Sequence, residues 1–513
     1  MGEESMKSKT SPKILPGYQG QPEHLARGLG LITVGSRVMR DRVNRQGLKW
    51  PRRGTQVGAQ PGTAEIGRAA ANALFASVLA GMALATTSHF KIRKSGGRSA
   101  GIGMVLPVLP LIIDLKNPSA TLDALESGAR YRKVQCLLTR DGDPVSKLSF
   151  QLAEHETVTP AVVRQHLAAR AWPEAAGADR STSSNPNVYP SVTVVLATRN
   201  RPEQLVECLA SIESGTLTAE RIVVVDNAPS DERTAELMAL RTRQDPRLVY
   251  VREDRPGLAH AHNAAMPHIA TDVVAFTDDD VLADRRWLER LVKVFAEDPS
   301  AVCVTGMIAP RELDTLPQQW VEGNMTYDKG LHRRVFDGTR GNAEFPLMPY
   351  TSGACGSGAN MAFQTRYLQN AGGFEAALGT GTVAMGGDDL AAFHDVLASG
   401  NRLVYEPAAI VLHPHHRDYA ALRRQVYGYG AGLGAHLMRC LMHDPRMVLA
   451  FAGNASILRS RATNIMNPPV VAGLPPYPRD LLREHRRGLL SGPWRYLRSR
   501  RHLKRQIAAG GTP

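Results

Sequence analysis

From residue 191 onward, short runs of apolar and β-branched residues alternate with segments whose apolar residues recur at helical spacing. The run at 192–197 is typical of a strand buried on both faces, and residues 203–214 have the spacing of an amphipathic helix. Similar patterns predict strands at 222–225, 248–251, 273–276 and 301–305, and helices at 231–240 and 287–295. This alternation predicts an α/β domain whose mostly parallel sheet is flanked by helices. In such sheets ligands bind at the carboxyl ends of the strands.

The segment before this domain has a different pattern. Residues 131–139 and 146–152 predict two strands joined by a turn at 141–144, and residues 160–171 predict a helix, which together form a small ββα module. The apolar run 104–113 contains two prolines and is predicted to be an extended edge. The predicted domains are a basic, poorly ordered arm with one Ala-rich helix (1–100), a small α/β module with its linker (101–185), the α/β domain (190–430) and a helical basic extension (431–513).

Positive charge is concentrated towards the two ends of the chain. The net charge is +14, and residues 1–60 carry eleven Lys and Arg against four Asp and Glu. Residues 479–505 carry ten against two, so the body between these arms is nearly neutral. Basic arms either attract an anionic membrane or nucleic acid, or act as solvated tails. No recognised nucleic-acid-binding motif accompanies them, so we expect no nucleic-acid partner.

Two features bear on the cellular compartment. The first 60 residues lack the apolar core of a secretory signal, and five scattered cysteines without C-x-x-C spacing exclude a disulfide scaffold and a zinc ribbon. Both features favour a reducing, cytoplasmic location. Residues 69–87 carry no charge and are long enough to span a bilayer. Their alanine-rich composition favours a buried or interfacial helix, and insertion in a membrane stays an open alternative.

Carboxylates follow two of the predicted strands. Asp226 comes directly after the second strand, and Asp278, Asp279 and Asp280 follow the fourth. Adjacent carboxylates repel each other and raise each other's pKa unless a cation relieves them. Hard oxygen ligands suit Mg²⁺ or Mn²⁺ held jointly with substrate phosphates. The triplet therefore indicates either a divalent-metal site or a solvated acidic loop.

Eight motifs between residues 190 and 430 resemble, in order and spacing, those of the family 2 glycosyltransferases. They are VTVVLATRNRPE (192–203), IVVVDN (222–227), RPGLAHAHN (255–263), FTDDD (276–280), GSGANMAF (356–363), GGF (372–374), GGDDL (386–390) and YEPAAIVLH (405–413). The chain looks like a bacterial member similar to mycofactocin-system and to rhamnosyl or glucosyl transferases. The resemblance implies the GT-A fold and the use of nucleotide-activated sugars.

The resemblance also implies roles for individual residues. The nucleotide-sugar would be bound by Ala197, Thr198, Arg199, Asp226, Asn227, Arg255, Asn263, Asp278 and Asp279. The metal ligands would be Asp278, Asp280 and His413. The general base would be Asp389, the second acid of a pair whose first member is Asp388, where the family usually has glutamate. That departure leaves open which carboxylate accepts the proton, and a solvated-loop role for Arg255 also stays open.

The implied reaction is a metal-assisted single displacement with inversion, because a single base lies on the face opposite the leaving group and no second nucleophile is visible. It would move a sugar from a UDP-, TDP- or GDP-linked donor to a hydroxyl of a glycan, lipid-linked or peptide acceptor, with Mn²⁺ or Mg²⁺. A nucleotidyltransferase is the alternative enzyme, although residues 198–202 lack the glycines of its usual loop. An inactive scaffold associated with a membrane or nucleic acid is the other alternative.

Three expectations concern the C-terminal half. The glycines at 428, 430, 432 and 434 predict close helix packing, and Gly386-Gly387 predicts a close approach of the backbone to the substrate. Residues 478–505 mix arginines with Leu, Trp and Tyr, which suits a pair of interfacial helices broken near Gly492-Pro493. These helices would give peripheral contact with an anionic membrane, unless they pack on the catalytic domain instead.

Overall fold

The structure is a computed structural model that describes residues 107–125, 130–153, 155–173, 189–324, 327, 329–338, 344–458 and 474–508. The expectations for the arm at 1–100, for its helix at 69–87 and for most of the linker lie outside these residues. Among the described helices, none combines the length and the apolar character needed to cross a bilayer.

The small N-terminal module contains the predicted hairpin and helix. Its elements are β1 (Val108–Asp114), α1 (Ser119–Leu122), β2 (Lys133–Arg140), β3 (Asp143–Gln151) and α2 (Pro160–Ala168). β2 and β3 pair antiparallel around a turn in which Asp141 and Gly142 both have positive φ. The predicted extended edge forms β1, which adds to β2 in parallel and makes the sheet three-stranded. The ββα prediction is confirmed, with this third strand in addition.

The central sheet contains nine strands, with β8 pairing to β12 beside the order β10-β12-β9-β11-β7-β4-β5-β6. The strands are β4 (Val192–Thr198), β5 (Arg221–Asn227), β6 (Leu248–Glu253), β7 (Val273–Asp278), β8 (Leu282–Ala283), β9 (Ala301–Pro310), β10 (Arg334–Asp337), β11 (Asn360–Gln364) and β12 (Arg402–His413). Six strands share one direction, whereas β8, β10 and β11 run the opposite way. The sheet is therefore mostly parallel in direction and mixed in its pairings.

Helices cover both faces of this sheet. They are α3 (Pro202–Glu213), α4 (Arg233–Gln244), α5 (Leu258–Ala265), α6 (Trp287–Glu297), α7 (Leu316–Asn324), α8 (Thr365–Ala371), α9 (Asp388–Ala398), α10 (Tyr419–His443), α11 (Met447–Gly453) and α12 (Arg479–Ala508). Because successive side chains of a strand point to opposite faces, Val194 of β4 packs in a core with α3 and α6, while Val195 packs in a second core with α5. This explains why the central strands are apolar throughout.

Helices α10 and α12 pack along each other through glycines. A Cβ atom at Gly430 would lie 2.1 Å from the carbonyl oxygen of His485, and one at Gly434 would lie 2.3 Å from that of Leu489. From α12, a Cβ at Gly488 would lie 2.1 Å from a carbonyl oxygen of α10. The predicted close helix packing is therefore confirmed, and the predicted domain boundary at residue 430 lies inside α10.

The prediction of two C-terminal helices broken near Gly492-Pro493 is wrong. Residues 479–508 form one continuous helix with Pro493 in its interior. An internal proline removes a hydrogen bond and crowds the preceding turn. The packing of Gly492, Leu481 and Tyr496 against the rest of the fold, where all three are buried, offsets that cost.

Candidate functional site

Several predicted site residues lie at one edge of the sheet, because the strands that precede them run in parallel. The residues at the carboxyl ends of β4, β5, β7 and β12 are Thr198, Asp226 with Asn227, Asp278 and His413. In the strand pairing, Ala197 lies opposite Asp278 and Thr198 lies opposite Asp226. Directly beyond the acidic triplet, β8 pairs with β12, which brings His413 beside the carboxylates.

Asp278, Asp280 and His413 form a cluster of metal-ligand type. Each offers one ligand atom, and these atoms all lie within 4.8 Å of one another. The His413 Nε2 atom is 3.7 Å from Asp278 Oδ2 and 3.7 Å from Asp280 Oδ1. Burial lowers the pKa of His413, but the two carboxylates outweigh this effect and raise it.

The same cluster fits a divalent cation. Asp280 Oδ1 is buried without a hydrogen-bond partner in the described part of the chain, and a buried carboxylate oxygen in that state is costly. Two carboxylates and an imidazole suit Mn²⁺ or Mg²⁺ with room for substrate oxygens. The residues present therefore match the metal that the resemblance implies.

The middle acid of the triplet is held by neighbours instead of facing the cluster. Asp279 accepts hydrogen bonds from the Thr198 hydroxyl at 2.7 Å and from Arg201 at 3.2 Å, and burial raises its pKa to about 6. The same Arg201 nitrogen lies 3.1 Å from Asp280 Oδ2. Sequence reasoning missed Arg201, although it stands in the quoted motif two residues after Arg199, which is exposed.

Strand β5 ends with Asp226, whose side chain is buried, and Asn227, whose side chain binds the loop after β6. Asp226 is fully buried, accepts a hydrogen bond from the Tyr250 hydroxyl at 3.1 Å, and has its pKa raised by burial. The Asn227 amide donates to the Arg255 carbonyl at 2.7 Å and accepts from the Gly257 N–H at 2.8 Å. Asn227 therefore fixes the loop that follows β6.

Two other predicted donor-binding residues have partners within the protein. The Arg255 guanidinium binds the Glu253 carboxylate, with 2.8 Å between Arg255 Nη2 and Glu253 Oε2. The Asn263 amide donates to the Phe374 carbonyl at 2.9 Å and accepts from the Phe374 N–H at 2.8 Å. Both side chains thus hold loops around the site, and direct contact with a donor stays a prediction.

Helix α9 begins with Asp388 and Asp389, the two acids that include the predicted general base. Asp389 Oδ2 accepts from the Gly358 N–H at 3.0 Å, and its Oδ1 accepts from the Leu390 N–H at 2.7 Å. Asp388 is buried, and its Oδ2 has no hydrogen-bond partner among the described residues. Burial raises the pKa of both carboxyl groups, and the charge of Asp389 adds to that effect on Asp388.

The glycines before this pair have a different role from the one expected. Gly387 has φ +89°, and a Cβ there would lie 2.6 Å from the carbonyl oxygen of Gly432 on α10. A Cβ at Gly386 would lie 3.6 Å from the Gly432 Cα. The close approach is therefore to helix α10, so these glycines seat the Asp388-Asp389 pair against that helix.

Two hydrogen bonds, linked through neighbouring residues of the chain, connect Asp389 to the cluster of Asp278, Asp280 and His413. Gly358, which binds Asp389, precedes Ala359, whose carbonyl accepts from the Thr277 hydroxyl at 2.7 Å. Thr277 directly precedes Asp278. Burial and the charges of Asp278, Asp389 and Asp280 raise the pKa of the Tyr429 hydroxyl of α10 to about 12.

A stack of rings that sequence reasoning missed supports His413. Tyr327 lies parallel to His413 with 6.5 Å between ring centroids, and 5.4 Å from the ring of His415. Its hydroxyl is hydrogen-bonded to that of Tyr429. His415 is buried, and its Nε2 lies 3.5 Å from a Glu322 carboxylate oxygen. The adjacent histidines of His-Pro-His-His gave the only sequence signal of this arrangement.

The family model described as Glycosyl transferase family 2 matches residues 193–366. This stretch of the chain is therefore similar to the family 2 glycosyltransferases. Asp278 and Asp280 lie inside the matched residues, whereas Asp389 and His413 lie beyond them. The domain match thus covers the acidic triplet, and the resemblance alone covers the base and the histidine.

Individual proteins are similar to parts of this chain. The pre-mycofactocin glycosyltransferase of Mycobacterium tuberculosis is 28% identical over 248 residues, 47% of this chain and 46% of that protein. The glucosyl-dolichyl phosphate glucuronosyltransferase of Haloferax volcanii is 26% identical over 159 residues, 30% of this chain and 50% of that protein. A mannosyltransferase from Pyrobaculum calidifontis, solved with GDP-Man and Mn²⁺, covers 65% of this chain and 79% of its own at 21% identity, with a TM-score of 0.38. The chain spans about half the length of the curated relatives it matches.

Proposed function

We propose that this chain transfers a sugar from a UDP-, TDP- or GDP-linked donor to an acceptor hydroxyl, by a single displacement that inverts the anomeric carbon. The observation that carries the proposal is the convergence of Asp278, Asp280 and His413 within 4.8 Å at the carboxyl edge of the sheet. That edge is where sheets of this class bind ligands, and the acidic residues belong to the matched glycosyltransferase domain.

In this proposal Asp278, Asp280 and His413 hold Mn²⁺ or Mg²⁺. When bound, such an ion stabilises the negative charge that develops on a departing nucleoside diphosphate. Asp226, buried at the end of β5, contributes a hydrogen-bond acceptor on the nucleoside side. Thr198 and Asp279 shape the floor of this donor region through their 2.7 Å hydrogen bond.

Asp389 is our candidate for the general base. Its two backbone hydrogen bonds favour the ionised form and fix the orientation of the carboxylate. Burial and, to a smaller extent, the charge of Asp278 oppose ionisation, so the pKa is raised and the group is a better proton acceptor. Asp388 lacks a partner for its Oδ2 and lies deeper, which favours a supporting role for it.

The direct test is incubation of the full chain with a panel of nucleotide-sugars and Mn²⁺, followed by measurement of nucleoside diphosphate release and, with an acceptor, of the product anomer. We expect Asp280→Asn to abolish Mn²⁺-dependent donor binding, while Glu220→Gln, at an exposed position outside the site, leaves it unchanged. Undiminished Mn²⁺-dependent binding in the Asp280 variant would contradict the metal assignment. Pyrophosphate release from a nucleoside triphosphate and a sugar phosphate would instead identify a nucleotidyltransferase.

The same proposal includes a location and an acceptor class. We infer a cytoplasmic protein that makes peripheral contact with the anionic inner face of the cell membrane and uses a glycan, lipid-linked or peptide acceptor. One relative is named a glucosyl-dolichyl phosphate glucuronosyltransferase, and the lipid-linked sugar in this name supports the lipid-linked option. Recovery of product from lipid-linked, soluble glycan and peptide acceptors, compared in one assay, would separate the three.

A further inference from the structure

The outward face of helix α12 carries a regular row of exposed residues. Their spacing is three or four residues, so they lie on one line along the helix. We name this row the outer stripe, and its members are Arg479, Arg483, Arg487, Leu490, Trp494, Arg498, Arg501 and Arg505. At 1.5 Å per residue the stripe is about 39 Å long, and its two apolar members stand at its centre.

The outer stripe is strongly positive. The two acids of α12 lie off the stripe and are engaged with other residues: Asp480 accepts from the Tyr419 hydroxyl at 2.7 Å, and Glu484 pairs with Arg423 and Arg487. Within the described part of the chain, Arg487 is the one stripe arginine with an ion pair. The other five cations face outward without a carboxylate partner there, so the stripe has charge complementarity for an anionic surface.

The centre of the stripe is apolar. Leu490 is 54% exposed and Trp494 is 58% exposed, which is unusual for large side chains on a packed helix. The guanidinium of Arg501 lies 5.9 Å from the Trp494 ring centre, in cation–π geometry. An aromatic ring with arginines on both sides suits the boundary between headgroups and acyl chains.

The opposite face of α12 anchors the helix in the fold. Leu481, Gly488 and Tyr496 are buried, and the glycines bring α12 into backbone contact with α10. The stripe is therefore already helical and oriented before it meets a partner, which removes the ordering cost that a disordered basic segment would bear. A deletion of this helix would also remove part of the core, so point variants are the informative perturbation.

We propose that the outer stripe is the membrane-docking surface of this protein, with Leu490 and Trp494 at headgroup depth and the flanking arginines on anionic lipid phosphates. The inference rests on the peripheral membrane contact proposed above and names its surface. Phosphates of nucleic acid would also attract the arginines. The exposed leucine and tryptophan at the centre favour a lipid surface.

The docking helix also contacts the loop that leads to the candidate base. Arg495 of α12 donates to the Val383 carbonyl at 3.1 Å, five residues before Asp388. Helix α12 therefore links the outer stripe to this loop through Arg495, the neighbour of Trp494.

The test uses the full chain and vesicles of phosphatidylcholine with or without phosphatidylglycerol. We expect sedimentation with the anionic vesicles at low salt and its loss at high salt. The double variant Arg498→Gln/Arg501→Gln should bind about 25-fold more weakly, since each arginine near an anionic surface is worth about fivefold. The matched control is Arg170→Gln/Arg243→Gln, which removes the same charge from exposed positions off the stripe.

Tryptophan fluorescence gives a second readout. Anionic vesicles should shift the emission of the wild type to shorter wavelength, and Trp494→Phe should remove that shift. Equal vesicle binding by the stripe variant and the control would overturn the proposal, as would the absence of binding at low salt. Stronger binding to DNA than to vesicles, lost in the stripe variant, would assign the stripe to nucleic acid instead. Donor binding with Mn²⁺ should be unchanged in both double variants, so failure of docking is distinguishable from failure of the proposed transfer.

Discussion

Replacing Asp389 by asparagine changes how many backbone hydrogen bonds the side chain can accept. Both carboxylate oxygens accept an N–H, one from Gly358 at 3.0 Å and one from Leu390 at 2.7 Å. Asparagine has a single acceptor oxygen, so its NH₂ group must face one of these N–H donors. We expect a loss of stability of about 1–3 kcal/mol, the cost of leaving a buried donor unpaired, together with a fall in turnover of about 10²–10⁴ if Asp389 is the base.

The same change at Asp388 should raise stability, because its Oδ2 has no hydrogen-bond partner to lose among the described residues. The pKa of Asp389 is also raised by burial, so Asp389→Asn gains in the same way and this gain offsets part of its hydrogen-bond loss. Burial raises the pKa of Asp388 above the ordinary value of an aspartate, about 3.9, so the folded state favours the protonated form. The stability contribution of this group is therefore fully present below about pH 4 and is lost as the pH rises through the raised pKa. Asp388→Asn cannot ionise and escapes that loss. At pH 8 it should be more stable than the wild type, on the order of a few kcal/mol, with a smaller gain at pH 5.

Urea unfolding followed by circular dichroism measures both variants at pH 8 and pH 5, with a chelator present to remove metal linkage. The two variants are matched controls for each other, because they are adjacent and isosteric. If Asp388→Asn were no more stable than Asp389→Asn at pH 8, that result would refute the reasoning from hydrogen bonds and burial. A larger loss of turnover in Asp388→Asn than in Asp389→Asn would transfer the role of base to Asp388.

Other variants test the rest of the site and fold. Arg201→Gln should bind Mn²⁺ about fivefold more tightly by calorimetry, because the half-exposed Arg201 guanidinium beside Asp280 repels a metal ion bound there. The control Arg199→Gln should leave the affinity unchanged. If both variants bind Mn²⁺ with the same affinity, Arg201 does not act on the metal site. His413→Ala should weaken Mn²⁺ binding by about tenfold or more, since even outer-sphere partners of a metal are worth that much; unchanged affinity would exclude it as a ligand. Gly434→Ala should destabilise the fold by about 1–3 kcal/mol, whereas Gly453→Ala, which meets nothing within 4 Å, should not, and equal melting temperatures would argue against a tight contact between α10 and α12.

The strands and their polar ends were predictable because each rests on a local pattern. An apolar run of four to six residues identifies a buried strand, and parallel strands bring their carboxyl ends together whatever lies between them. This placed Asp226, Asp278 and Asp280 at one edge before any contact was known. His413, 133 positions after Asp280, was assigned to the site by the resemblance alone.

What the sequence did not reveal depends on contacts between distant segments. Nothing in the motif around Arg201 indicates that its guanidinium bridges Asp279 and Asp280 instead of facing solvent. The ring of Tyr327 has no local signal for stacking on His413. Pro493 predicted a break in the helix because local propensity disfavours it, but the packing of neighbouring residues against α10 decides the conformation.

The glycine contact between α10 and α12 has a consequence for the order in which the molecule is built. Sixty-five residues separate the end of α10 at His443 from the end of α12 at Ala508. At a synthesis rate of about 5–20 residues per second, a ribosome needs about 3–13 s to add them. During that interval the groove over Gly430 and Gly434 has no helix to fill it and presents bare backbone to water. A nascent chain would thus contain its acidic triplet and the Asp388-Asp389 pair before the second helix of the packed pair has been synthesised.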